Sequence, residues 1–167
     1  MNYDEVIKRE FNNNATIEYG IVKGNSTVAF VKVGQNGSIY GYENKYLTIA
    51  KTLNKEYGYS VIVSSNPFDG NNPLGHDMNV VKEYCVENDI KDYQVYYMGQ
   101  SNGARIGMSW GYKYPEIKRM LLINSPVFIN WHVLKNGIIQ SKNQDMLLVY
   151  GERRFIQLYW INKTFVG

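Results

Sequence analysis

Apolar positions along this chain change period several times, and each change predicts an element. Ala15–Lys23 and Thr27–Val33 are rich in β-branched and aromatic residues on either side of the turn Lys23-Gly24-Asn25-Ser26. They predict two strands joined as a hairpin. Gly41–Tyr57 then sets Tyr42, Tyr46, Ile49, Ala50, Leu53 and Tyr57 on one helical face. Val61–Ser65 is a short continuous apolar run and predicts a strand. Gly75–Asn88 predicts a helix, carrying Met78, Val81, Cys85 and Val86 at a spacing of three or four. Val95–Met98 predicts a strand, Asn102–Lys113 a helix and Met120–Ile123 a strand. Val127–Asn143 reads as irregular or partly helical, and Met146–Tyr150 as a last strand.

Continuous apolar runs are the mark of strands buried on both faces, and helix-length crossovers are what parallel strands need between them. The order β-β-α-β-α-β-α-β-α-β therefore predicts an α/β fold. Its mostly parallel, doubly wound sheet would carry helices on both faces and an antiparallel N-terminal hairpin. No internal repeat or Pro-rich linker interrupts the pattern, so 1–167 reads as one domain. The core spans 15–151, and 152–167 is a tail of different character. In such sheets ligands bind beyond the C-terminal strand ends. That directs attention to residues 34–41, 65–77, 99–103, 124–132 and 150–154.

Composition narrows the classes. A chain of 167 residues with 44% hydrophobic and 20% charged residues is an ordinary globular domain rather than a disordered one. Its 18 Lys and Arg against 15 Asp and Glu leave a charge of only +3, and no basic run exceeds two residues. A nucleic-acid footprint is not expected. The single Cys85 excludes an intramolecular disulfide and reads as a small buried hydrophobe. Two histidines without His-x-x-x-His spacing form no metal set, and no cofactor motif occurs: Gly34, Gly37 and Gly41 miss G-x-G-x-x-G. The acidic start Met1–Glu5 is unlike a signal peptide, and no apolar run reaches the roughly 18–20 residues of a membrane span. Three glycosylation-type triplets, at Asn14, Asn25 and Asn162, arise readily in an Asn-rich chain. The expectation is a cytoplasmic protein away from membranes.

One segment carries chemistry. Val95-Tyr96-Tyr97-Met98 runs into Gly99-Gln100-Ser101-Asn102-Gly103 and then into a helix. This is G-x-S-x-G in its required setting of strand, sharp turn and helix. A serine held in a strained turn needs neighbours without bulk two positions away, and Gly99 and Gly103 provide that. Ala104 and Gly107 let the helix lie close to the sheet. Ser101 is the candidate nucleophile, with a helix N-terminus beneath it to stabilise negative charge.

The stretch 95–127 resembles the nucleophile-elbow region of the α/β-hydrolase family, and the likeness extends from about Ala15 to about Gly151. The resemblance implies an oxyanion hole formed by the backbone N–H of Asn102 and an N–H from the loop Gly34-Gln35-Asn36-Gly37-Ser38, given by Gln35 or Asn36. It implies the chain order Ser, acid, His for a catalytic triad. The strand Met146–Tyr150 is followed by Gly151-Glu152-Arg153-Arg154, where relatives often carry Gly-x-x-Asp; Arg154 holds that place and Glu152 is the nearby carboxylate. No histidine follows residue 132. The family's last strand and helix, with their His, are therefore expected to be missing, as if the chain were truncated near Arg153.

His132 is then the candidate stand-in base, and His76 reads as a surface residue in a helix's first turn. Asn36, Asp69, Phe128 and Trp131 are candidates to line the substrate pocket, although Asp69 before Gly70 also suits a plain turn. The function implied is cleavage of a small ester, thioester or amide through an acyl-enzyme on Ser101. The alternative is a catalytically incomplete remnant or binding module, and transfer to an acceptor other than water would use the same residues. The partners expected are a small-molecule acyl substrate and, because a missing last strand would bare a sheet edge, a second copy of the chain.

Overall fold

The computed structural model describes residues 2–11, 15–67, 73–152 and 155–161. Among them an eight-stranded sheet runs in the order β1-β2-β4-β3-β5-β6-β7-β8. The strands are β1 (Glu5–Phe11), β2 (Ala15–Val22), β3 (Asn25–Lys32), β4 (Tyr59–Ser64), β5 (Gln94–Gln100), β6 (Ile117–Ile123), β7 (Asp145–Glu152) and β8 (Phe155–Ile161). The helices are α1 (Lys45–Tyr57), α2 (Leu74–Glu87), α3 (Asn102–Trp110) and α4 (Trp131–Gln140). Strands β4, β3, β5, β6 and β7 are parallel, and antiparallel pairs stand at both edges.

The N-terminal antiparallel hairpin is present, but β1 and β2 form it. The two runs expected to pair with each other, β2 and β3, are separated by β4, which bonds antiparallel to β2 and parallel to β3. β1 escapes a reading by apolar period because EVIKREF carries four charges in seven residues. The 127–143 segment contains a true helix, α4, whose Leu134 and Gly137 are buried. Gly137 is the contact residue: a side chain there would meet the Ser109 carbonyl of α3 at 2.7 Å.

Alternating strand residues feed two cores. Val28, Phe30, Tyr97, Met120, Leu122 and Met146 face α2, α3 and α4. Ala29, Val31, Val33, Val61 and Val63 face α1, through Tyr46, Leu47 and Ala50. α1 covers only part of its face. Beyond it lies an open apolar cleft of about 520 Å³, with Val31, Leu53, Met98, Leu121, Leu147 and Trp160 in its lining. Residues 155–161 of the tail form a strand, so β7 is not the bare edge of the sheet: β8 pairs with it along its length.

The boundary between β3 and β4 holds a buried ion pair. Lys32 and Asp77 have no exposed side-chain surface, and Lys32 Nζ lies 3.0 Å from Asp77 Oδ2. Lys32 also donates to Ser64 Oγ at 2.8 Å and to the Ser65 carbonyl at 2.9 Å. Tyr19 and Ser64 hydroxyls donate to Asp77 Oδ1, each at 3.0 Å. Burial pulls the Lys32 ammonium below its usual range, and Asp77 opposes that. Burial first, and then the Asp77 charge, push the Tyr19 hydroxyl far above its own.

Candidate active site

Ser101 stands between β5 and α3 with φ 52° and ψ −120°, a left-handed conformation for a residue with a side chain. Such strain costs of order 1–3 kcal/mol and persists only where surrounding structure enforces it. The enforcement is visible. The Ser101 N–H donates to the Ile123 carbonyl at 2.8 Å, and its carbonyl accepts from Arg105 N–H at 3.1 Å. A side chain on Gly99 would lie 2.6 Å from Ala104 Cα, and one on Gly103 would lie 2.7 Å from the Val33 carbonyl. Both glycines are therefore required by contact: α3 begins hard against β5 and β3. The Tyr97 hydroxyl, buried under the turn, donates to the Gly103 carbonyl at 2.7 Å.

The neighbours of Ser101 are anchored through their side chains. Gln100 Oε1 accepts from Tyr46 OH at 2.6 Å and from Lys45 Nζ at 3.0 Å, tying the elbow to α1. Asn102 Oδ1 accepts from Arg105 Nε at 2.8 Å. Asn102 is the first residue of α3, so its N–H belongs to the orphan donors of a helix start and faces the turn.

The loop after β3 meets this turn. A side chain at Gly34 would sit 3.4 Å from Ser101 Cβ, so the loop and the elbow are adjacent. The Asn36 N–H donates to the Asn66 carbonyl at 2.8 Å and the Gly37 N–H to the Gly34 carbonyl at 2.9 Å. Asn36 is thus committed, and Gln35, exposed at the loop tip, is the residue whose N–H those turns leave over. Asn66 clamps the loop: its N–H donates to the Gly37 carbonyl at 3.2 Å, and its Nδ2 to the Val33 carbonyl at 3.0 Å. Neither Asn66 nor the Gln100 anchor stood out in the sequence; the one local signal is their place directly after or at a parallel strand's end.

The other candidates divide. Asn36 lines an open cleft of about 480 Å³ beside the loop, together with Ser38, Ser65 and Pro67. Phe128 stands exposed on the connection after β6 and Trp131 at the start of α4, at the same end of the sheet as Ser101. His132 is exposed in the first turn of α4. His76 is exposed at the start of α2 with its ring edge-on to Phe11 at 4.7 Å. Neither histidine makes a described hydrogen bond to Ser101. Glu152 ends β7, and the backbone there is joined to β6 by Gly151 N–H donating to Asn124 Oδ1 at 2.9 Å. Asp69 lies outside the described residues. Cys85 is buried, and burial pushes its thiol up to about 11, well out of the reactive range. Among the described residues no group of His, Cys, Asp and Glu is placed to hold a metal ion.

A mostly parallel sheet wrapped by helices, with a serine on a strained strand-to-helix turn beside the β3 loop, defines the α/β-hydrolase fold. Solved structures bear this out. A serine hydrolase homologue from Coxiella burnetii matches with TM-score 0.62 and 18% identity over 90% of this chain and 75% of its own. The esterase Pf2001 from Pyrococcus furiosus matches with TM-score 0.61 and 12% identity over 87% of this chain and 69% of its own. Est1E from Butyrivibrio proteoclasticus matches with TM-score 0.57 and 15% identity over 74% of this chain, which spans about half (52%) of Est1E. No family model and no curated protein matches the sequence. Among the described residues no helix is long and apolar enough to cross a membrane.

Proposed function

We propose that this chain carries the nucleophile and oxyanion half of a serine hydrolase site, acting on a small ester, thioester or amide through Ser101. The single observation behind this reading is the contact between the strained Ser101 turn and the Gly34-Gln35 loop. In the proposed step Ser101 Oγ attacks the substrate carbonyl. The oxyanion accepts hydrogen bonds from the N–H groups of Asn102 and Gln35, the latter favoured over Asn36 because the Asn36 N–H is already bound to Asn66. The proton of Ser101 must pass to a base, and a carboxylate such as Glu152 would orient it. The apolar Phe128 and Trp131 beyond β6 suit an acyl or alcohol part without high charge. Likeness to esterases and a serine hydrolase homologue supports the same reading.

A second reading, a catalytically incomplete binding module, is favoured by one observation: both histidines of the chain lie away from any described bond to Ser101. An oxyanion hole without its base retains roughly 10³–10⁴-fold acceleration over water in well-studied triads. Intact mass after exposure to a fluorophosphonate, with Ser101→Ala as control, separates the two. An adduct that requires Ser101 supports the hydrolase reading, and the His132→Ala and His76→Ala variants then identify the base. A folded protein that gains no mass refutes it and leaves the binding module.

A further inference from the structure

Charge compensation singles out one side chain beside the elbow. Among the described lysines and arginines, only Lys32, Lys51 and Arg105 are drawn back from solvent. Lys32 pairs with Asp77 at 3.0 Å and Lys51 with Asp4 at 2.8 Å. Arg105 is half-buried and joins none of the ion pairs among the described residues. Its described side-chain bond runs from Nε to Asn102 Oδ1, a neutral acceptor, at 2.8 Å. Burial pulls its guanidinium below the usual range. Arg105 also stands in the first turn of α3, at the positive end of the helix dipole, where a cation is disfavoured. A partly desolvated cation in that place, without a counterion, carries a cost that no described residue offsets.

We propose that Arg105 is an anion-binding residue of the candidate site, taking a carboxylate carried by the substrate. Its position supports this. The Arg105 N–H donates to the Ser101 carbonyl at 3.1 Å, so the two residues stand one helical turn apart. Side chains on a helix lean toward its N-terminus, and the Nε bond to Asn102 fixes that lean. The guanidinium therefore lies at the end of α3 where Ser101 stands. With Nε occupied, the two terminal amino groups remain for a planar two-point contact, a geometry that guanidinium and carboxylate share. One carboxylate matches the single charge of Arg105, whereas a phosphate monoester carries about −1.5 to −2. The substrate class narrows to an ester, thioester or amide with a carboxylate at one end, while the part against Phe128 and Trp131 stays apolar. That the anion belongs to a substrate rests on the reading of Ser101 as nucleophile; anion binding itself does not.

Binding is tested by NMR on nitrogen-labelled Ser101→Ala protein, following the Arg105 Nε–H signal, which is identified by its absence from the spectrum of an Arg105→Lys variant. Glutarate is expected to shift this signal and glutaramide to leave it in place. No response to glutarate, an equal response to glutaramide, or tighter binding of inorganic phosphate than of glutarate each overturn the proposal. Substrate choice is tested by kcat/KM for 4-nitrophenyl hydrogen glutarate against 4-nitrophenyl pentanoate, whose acyl chains have equal length. Arg105→Gln is expected to lower the ratio of the two values about tenfold or more. Arg105→Lys should lower it less, since it keeps the charge and loses the fork. Both esters slowed alike, with the ratio unchanged, would mean that Arg105 only steadies Asn102, and overturns the proposal. Glutarate binding without turnover of either ester upholds the anion site and counts against the hydrolase reading alone. Circular dichroism of every variant against the parent excludes unfolding as the cause.

Discussion

Removing the cation from the Lys32–Asp77 pair is the most informative perturbation of the scaffold under the elbow. Lys32→Met is close in shape and keeps the apolar stem, but leaves Asp77 fully buried with, among the described residues, the Tyr19 and Ser64 hydroxyls as its side-chain donors, at 3.0 Å each. Breaking one side of a buried pair costs about 3–5 kcal/mol. For a chain of this size each kcal/mol moves Tm by roughly 2–4 °C, so a drop of about 6–20 °C is expected in thermal denaturation at neutral pH. The double variant Lys32→Met with Asp77→Leu removes both charges and should regain most of the loss, because paired burial of ions seldom outperforms apolar packing. A Lys32→Met protein that melts within about 2 °C of the parent, or a double variant no better than the single, would refute the view that this pair fastens β3, β4 and α2 together.

Other predictions concern the site directly. Asn66→Ala leaves the Val33 carbonyl without its Nδ2 donor, so about 1–3 kcal/mol of stability should be lost in urea titration, with slower fluorophosphonate labelling of Ser101 as the Gly34–Gly37 loop loosens. Gly103→Ala drives a methyl against the Val33 carbonyl, and a loss of roughly 2 kcal/mol or more is expected, whereas Gly75→Ala meets only the Tyr114 hydroxyl at 3.4 Å and should be far milder. Asp4 accepts from Lys51 Nζ and from the Lys23 N–H, both at 2.8 Å, and these bonds hold its carboxyl below the ordinary 3.8. Its depressed folded pKa adds stability that is present above about pH 4 and lost as pH falls through the folded value; Asp4→Asn should flatten that part of the acid limb. Equal acid sensitivity in the two proteins would argue against the tether.

What could be read in the sequence was whatever local chemistry decides. The glycine spacing around Ser101 carries its own steric reason, and the parallel core follows from apolar runs alternating with helical periods over 59–123. Those rules act within a few residues, so they survive without knowledge of partners. The rest depended on pairings between distant segments. Whether β2 joins β3 or β4 is a matter of which hydrogen-bonding edge is free, and the answer, β4, placed Lys32 against Asp77, 45 residues away. The commitment of the Asn36 N–H turned on Asn66, which comes into reach only when β3 and β4 end side by side. β1 and β8 became strands because neighbouring strands offered them unpaired N–H and C=O groups, one despite its charges and the other despite lying in a tail of different character. Sequence determined the glycine-flanked turn at Ser101, since its sterics are local; tertiary structure decided the binding of the Asn36 N–H to Asn66 and the buried ion pair, since each is a contact between parts of the chain that only the assembled sheet brings together.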